Sequence, residues 1–280
     1  MQNDAARDHG LFGPGSVTWR IMGEPVLVVG GLRALLLQAL HPHSMWGTAQ
    51  NSALMDPEAA WARLGRTIEF VGVRTWGDLE EVERVGRRVR KLHSKLSGID
   101  QRTGEAFRVD DPENLLWVHL GEVDSYLDVA RRSGLPLSRQ ECDRFVDEQR
   151  RAAEVVGLDP ADVPASVGEM RDYYRAMRPH LYACHEARES LRRLFNPPVP
   201  MPYTPLKLAA PSLAVLVVST LPRWARRMYG LPGLPTSDLA ATATLKTLYR
   251  ASRLVPSSLR YPPEARRAHE LTREALSHAA

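Results

Sequence analysis

The chain has 280 residues, 44% hydrophobic and 25% charged, which suits one ordinary globular core and excludes a disordered or fibrous class. Its formal charge is +4, with arginines scattered among acids, so nucleic-acid binding is not indicated, while attraction to an anionic membrane surface is left open. Cys142 and Cys184 stand in no metal-ligand spacing and read as reduced thiols of a cytoplasmic protein. MQNDAARDHG carries no secretory pattern, and the longest apolar stretch, Leu206–Leu221, is interrupted by Lys207, Pro211 and Ser212 and is too short to span a bilayer. A soluble protein is expected.

Residues 1–10 are polar and predicted disordered. The segment that follows, 11–31, is rich in Gly and Pro and ends in EPVLVVGG, a β-branched run expected to be extended. Residues 31–40 read as a buried helix stopped near Pro42, with His41 at its C-terminal end, where an imidazole can bond free carbonyls. Asp56 as N-cap and Pro57 at the first helical position open a helix over 56–73. On it Arg63, Arg66 and Thr67 share a face, and Gly65 and Gly72 leave a second, bare strip.

Asp78 and Glu81 form a capping box for the next helix, expected to end with Gly98 at C′. Val82, Val85, Val89, Leu92 and Leu96 repeat at three- and four-residue intervals and turn one stripe toward a core. His93 lies beside that stripe, with Gly86 two turns earlier on the same face. An imidazole beside a bare patch is what an axially ligated haem requires. The same features also serve plain structure, a hydrogen-bonded core histidine and glycines that let helices pack closely.

Asp111-Pro112 opens a helix over 111–133 whose Leu115, Leu116, His119, Val123 and Tyr126 share a face. Ser138 with Glu141, and Ser166 with Glu169, open two more. The proline-rich run PPVPMPYTP has no helical period and reads as an extended crossing or a lid. Helical spacing returns over 213–227 and 236–254, and a charged helix over 262–277 closes the sequence. The C-terminal helices offer a dimer contact that nothing in their pattern requires.

Several chemistries fail on spacing. None of the nine histidines follows a glutamate by three positions, as a ferritin-like di-iron site needs. His185-Glu186 does not continue into HExxH, and GxSxG, GxGxxG and GxxxxGK[ST] are all missing.

The segments LFGPGSVTWRIMGEP, GGLRALLLQALHP, RLGRT, RRVRKLHSKLSG, DDPENLLWVHL and LPRWARRMYGLP, in this order between Leu11 and Pro232, resemble the family of MpaB-type and latex-clearing rubber oxygenases. The resemblance implies an all-α fold, globin-like in class rather than a simple bundle, that encloses one haem b. It sets a catalytic domain at 11–232 with a helical extension, 233–280, packed on it. The implied activity is oxygenation of an apolar or unsaturated organic substrate with dioxygen or a peroxide. By the same resemblance His93 matches the proximal iron ligand, and Arg63 with Thr67 matches the distal Arg-x-x-x-Thr. Gly86 clears room for the macrocycle, and His119 and Arg226 stand as candidate propionate partners, although salt bridging is the plainer role for Arg226. Arg66 departs from the rubber oxygenases, which carry a lysine able to reach the sixth iron position, and no counterpart of their acidic base is found. The alternatives are a haem or small-ligand sensor without turnover, and a helical interaction protein with no cofactor.

Overall fold

The computed structural model describes residues 9–52, 56–197, 204–261 and 263–278. Among these, helices α1 (Val17–Met22), α2 (Leu27–Gln38), α3 (Pro42–Asn51), α4 (Pro57–Trp76) and α5 (Leu79–His93) lead into a hairpin, β1 (Ser97–Ile99) and β2 (Ala106–Arg108). There follow α6 (Pro112–Ser133), α7 (Arg139–Val155), α8 (Val167–Met177), α9 (His185–Phe195), α10 (Thr204–Thr220), α11 (Arg223–Met228), α12 (Pro235–Ser252), α13 (Ser257–Arg260) and α14 (Pro263–His278). The fold is all-α, as expected, and the two short antiparallel strands are its only sheet among the described residues.

Two long helices make the centre. α2 lies along α6, and Leu36, Leu37, Trp117, Leu120, Val123 and Leu127 pack in one core. Close approach is possible because Gly30 faces Tyr126, whose ring lies 2.9 Å from where a Cβ would sit. Buried polar groups of the core are tied to backbone carbonyls: the Trp117 Nε1–H donates to Gln38 O (3.0 Å), the Tyr174 hydroxyl to Leu120 O (2.9 Å) and the Tyr229 hydroxyl to Leu36 O (2.7 Å). α12 packs along α6 and adds Ala241 and Leu245 to the same core. Cys142 and Cys184 are buried and unpaired. No described helix is long and apolar enough to cross a membrane.

Four caps appear where the sequence put them, while Asp111 opens α6 without a side-chain cap bond. Asp56 accepts from the Ala59 N–H, Asp78 with Glu81 and Ser138 with Glu141 form reciprocal boxes, and Ser166 accepts from the Glu169 N–H. Other expectations are corrected. EPVLVVGG is not extended, because Leu27, Val28 and Val29 begin α2, and Leu27 and Val29 are buried in the core while Val28 is exposed. Burial of Leu27 and Val29 overrides the β propensity of the valine pair. Gly98 does not cap α5. It lies in β1 beneath the Phe107 ring, which fills the place a Cβ would take. The helix expected at 213–227 is two helices separated at Leu221 and Pro222, and the first begins at Thr204 and carries Pro211 within it. The N-terminal residues 1–8 and most of the proline-rich run, 198–203, lie outside the described residues.

Candidate functional site

Helices α3, α4, α5 and the first half of α6 surround a cavity of ≈ 590 Å³, a size typical of cofactor and substrate pockets, roughly 300–1,000 Å³. A second cavity of ≈ 300 Å³ adjoins it and shares Leu35, Gln38, Ser44, Thr48, Arg63, Thr67 and Val118 as walls. The smaller one is otherwise largely apolar, with Leu32, Leu36, Met45, Leu64, Trp61 and Leu194.

His93 is the last residue of α5, and Val85, Val89 and Leu92 of the same amphipathic stripe reach the same cavity. Its Nδ1 is buried without a hydrogen-bond partner. Burial pulls the imidazole below its ordinary pKa, the Asp110 carboxylate opposes this, and the Arg63 charge adds to the lowering. His93 is therefore neutral at pH 7, and a neutral imidazole is the form that binds a metal. Arg63, Arg66 and Thr67 of α4 line this same cavity. Arg63 donates from Nη2 to Thr48 Oγ1 (3.2 Å), and burial together with Arg66 lowers its pKa. The Thr67 hydroxyl turns back to Arg63 O at 3.0 Å. The cavity thus joins the sequence-predicted histidine to the sequence-predicted Arg-x-x-x-Thr.

His119 of α6 also borders the cavity, 4% exposed, with Nε2 buried and unpartnered. Burial, aided by the Arg74 charge, pulls its pKa down to about 3. Beside it stand two residues that the sequence reading missed, Arg74 and Glu122, joined in a two-point ion pair whose shorter bond links Nη2 to Oε1. Both were findable. Arg63, Thr67, Phe70 and Arg74 form one helical stripe that continues the predicted face, and Glu122 follows His119 by three residues. Asn114, also unremarked, contributes a buried, unpartnered Oδ1 to the wall.

Other predicted site residues fall elsewhere. Gly86 does not face the cavity. A Cβ there would meet Val155 Cγ1 at 2.9 Å and Val155 O at 3.1 Å, so its bare surface serves the contact with α7. Gly65 and Gly72 are not among the lining residues and face open space. Arg226 is 1% exposed, away from the cavity, and its Nη2 bonds Asp238 Oδ1 at 2.5 Å. His41 caps the start of α3 rather than the end of α2. Its Nδ1 accepts from the Ser44 N–H (3.4 Å), and burial holds its pKa down at about 4.

Unpartnered buried polar atoms are rare in folded proteins and call for a ligand, a water or an ion. Four belonging to lining residues, on His93, Asn114, His119 and Arg74, gather around one cavity. Among the described residues no three His, Cys, Asp or Glu side chains cluster to hold a bare metal ion. The donor set, the imidazoles of His93 and His119 with cationic and hydroxyl groups and without a cluster of carboxylates or thiols, therefore suits a metal that brings most of its own ligands.

Residues 19–254 match the family described as ER-bound oxygenase mpaB/B'/Rubber oxygenase, catalytic domain. The chain belongs to this family. The match takes in every lining helix and runs to the end of α12. No curated protein and no solved structure matches the chain.

Proposed function

We propose that this member of the oxygenase family is a haem b-dependent enzyme that oxidises an apolar or unsaturated organic molecule with dioxygen or a peroxide. One observation carries the reading: the neutral His93 and the Arg63–Thr67 pair border a single cavity ringed by unpartnered polar atoms. His93 would hold the iron through an imidazole nitrogen. Arg63 would pair with a propionate or with a polar group beside the iron through charged hydrogen bonds, and His119 is the second candidate for a propionate. A bound haem supplies the oxygen chemistry, and the protein supplies position and shielding.

The chain's own residues set the remaining terms. Arg66 lines the cavity where the rubber oxygenases carry a lysine, and a guanidinium is a poor metal ligand, so it would offer hydrogen bonds beside the iron rather than a bond to it. Leu35, Leu64, Val118 and Leu194 exclude water and offer hydrocarbon to hydrocarbon beside Arg63 and Thr67. The competing reading, a haem or small-ligand sensor without turnover, draws on Glu122: of the two carboxylates that line the cavity, the exposed Glu69 and Glu122, the more buried one is engaged by Arg74 and is not a ready base.

An absorption spectrum tests the proposal. Purified protein given haemin is expected to show a Soret band that His93→Ala shifts or abolishes, and oxygen uptake with isoprenoid or other unsaturated lipids separates enzyme from sensor. A folded, colourless protein that leaves haemin unbound would sink both.

A further inference from the structure

The chain's small positive charge conceals an uneven distribution. Of its 37 basic and 33 acidic residues, eight basic and one acidic fall between Thr204 and Tyr261, which leaves the rest of the chain with 29 against 32. The basic residues are therefore not evenly mixed with acids, as composition alone suggested. Between Asp238 and Glu264 there is no acid at all, while Lys246, Arg250, Arg253 and Arg260 follow one another along α12 and α13.

The same stretch exposes large aliphatic side chains. Leu254 is 86% exposed and Leu259 79%, at the corner where α12 gives way to α13, with Leu248 at 45% and Val255 at 41% beside them. Among the described residues Lys246 and Arg250 have no acidic partner, and Arg253 reaches Glu24 only at 3.9 Å. Bare leucines at a helical corner, beside cations of which Lys246 and Arg250 have no acidic partner among the described residues, match the interfacial zone of a bilayer: aliphatic tips enter the acyl boundary while guanidinium groups meet anionic headgroups.

We propose that the α12–α13 corner docks this protein onto an anionic lipid bilayer. Two other partners fit less well. A symmetric second copy would set Lys246 and Arg250, which have no acidic partner among the described residues, against their own duplicates. A nucleic acid would use the cations but leave four exposed aliphatic side chains without a role, and no exposed aromatic ring stands among them for bases to stack on.

The test is co-sedimentation of the full chain with vesicles of phosphatidylcholine alone and of phosphatidylcholine with one quarter phosphatidylserine, at low and at high salt. Binding is expected only to the anionic vesicles and is weakened by salt. Arg250→Gln with Arg253→Gln should lower partition about 30-fold, at roughly fivefold per headgroup-facing cation. Leu254→Ser with Leu259→Ser should lower it about tenfold or more, and both side chains are exposed enough to leave the fold intact. Circular dichroism and thermal midpoints equal to wild type verify that. No sedimentation at low salt, or binding indifferent to the leucine pair, overturns the proposal. So does light scattering that shows a dimer which Leu254→Ser/Leu259→Ser converts to monomer, because the corner would then be a contact between copies.

Discussion

The junction of α1 with α7 and the cavity between α4, α5 and α6 both bury polar side chains, and they treat them in opposite ways. At the junction the Glu148 carboxylate, 3% exposed, accepts from the Val17 N–H (3.1 Å), the Thr18 N–H (2.8 Å), the Thr18 hydroxyl (2.8 Å) and the Arg144 Nε–H (2.9 Å). Gln149 completes the set by donating to the Thr18 hydroxyl oxygen at 2.8 Å. In the cavity His93, His119 and Asn114 each bury an atom that has no partner. A satisfied network fixes a fold, whereas unsatisfied atoms around a cavity remain open to a ligand or to water.

Glu148→Ala should cost the most stability, about 3–5 kcal/mol, because it strands several buried donors of α1 at once. Urea unfolding measures it, and a loss below about 1 kcal/mol would erase the contrast drawn above. Arg74→Met should cost about 3 kcal/mol by leaving Glu122 without its counter-charge, and adding Glu122→Gln should recover most of that. If the double variant is no better than the single, Arg74 matters for its contacts rather than its charge.

His93→Ala belongs to the other class: by itself it should change stability by less than about 1 kcal/mol. It should nevertheless remove the gain that haemin gives the wild type, about 2.7 kcal/mol at a hundredfold excess over the dissociation constant. Thermal melts with and without haemin report both quantities.

The pH dependence follows from the depressed histidines. His119 and His41 are held down at about 3 and about 4, against an ordinary 6.5, so below 6.5 the unfolded chain takes up protons that the folded chain refuses. Stability is full above pH 6.5 and declines as pH falls toward 4 and then 3. His119→Gln should flatten this decline by about 1–2 kcal/mol between pH 7 and pH 5. Parallel slopes for variant and wild type would show that His119 protonates freely in the folded state.

Two glycines give effects of opposite sign. Gly86→Ala should destabilise by about 1–2 kcal/mol through the clash with Val155, while Gly65→Ala, with open space around it, should stabilise by about 0.5–1 kcal/mol. Equal outcomes at the two positions would mean that α5 and α7 sit farther apart than the geometry has them.

What could be read from the sequence was local. Asp56, Asp78 with Glu81, and Ser138 with Glu141 announce their helices because a cap and its partner lie within one turn. The stripe of α4 that carries Arg63 and Thr67 and the stripe of α5 that ends in His93 are periodic, and periodicity survives folding. What escaped was decided by distant neighbours. EPVLVVGG is helical because α6 buries it, and Gly98 is in a strand because Phe107 lies over it. Arg74 and Glu122 become a pair across 48 residues of sequence. Gly86 shows the other failure: a bare position on the right face of a helix records closeness to something, and only the fold says that the something is α7.

The hairpin holds one further consequence. Gln50 of α3 both donates from Nε2 to Ile99 O (2.9 Å) and accepts the Ile99 N–H at Oε1 (2.8 Å), and Asn51 donates to Ser97 O at 2.7 Å. A side-chain amide thus imitates a neighbouring strand along the outer rim of β1, so the peptide groups that could recruit a stranger's chain are already spoken for.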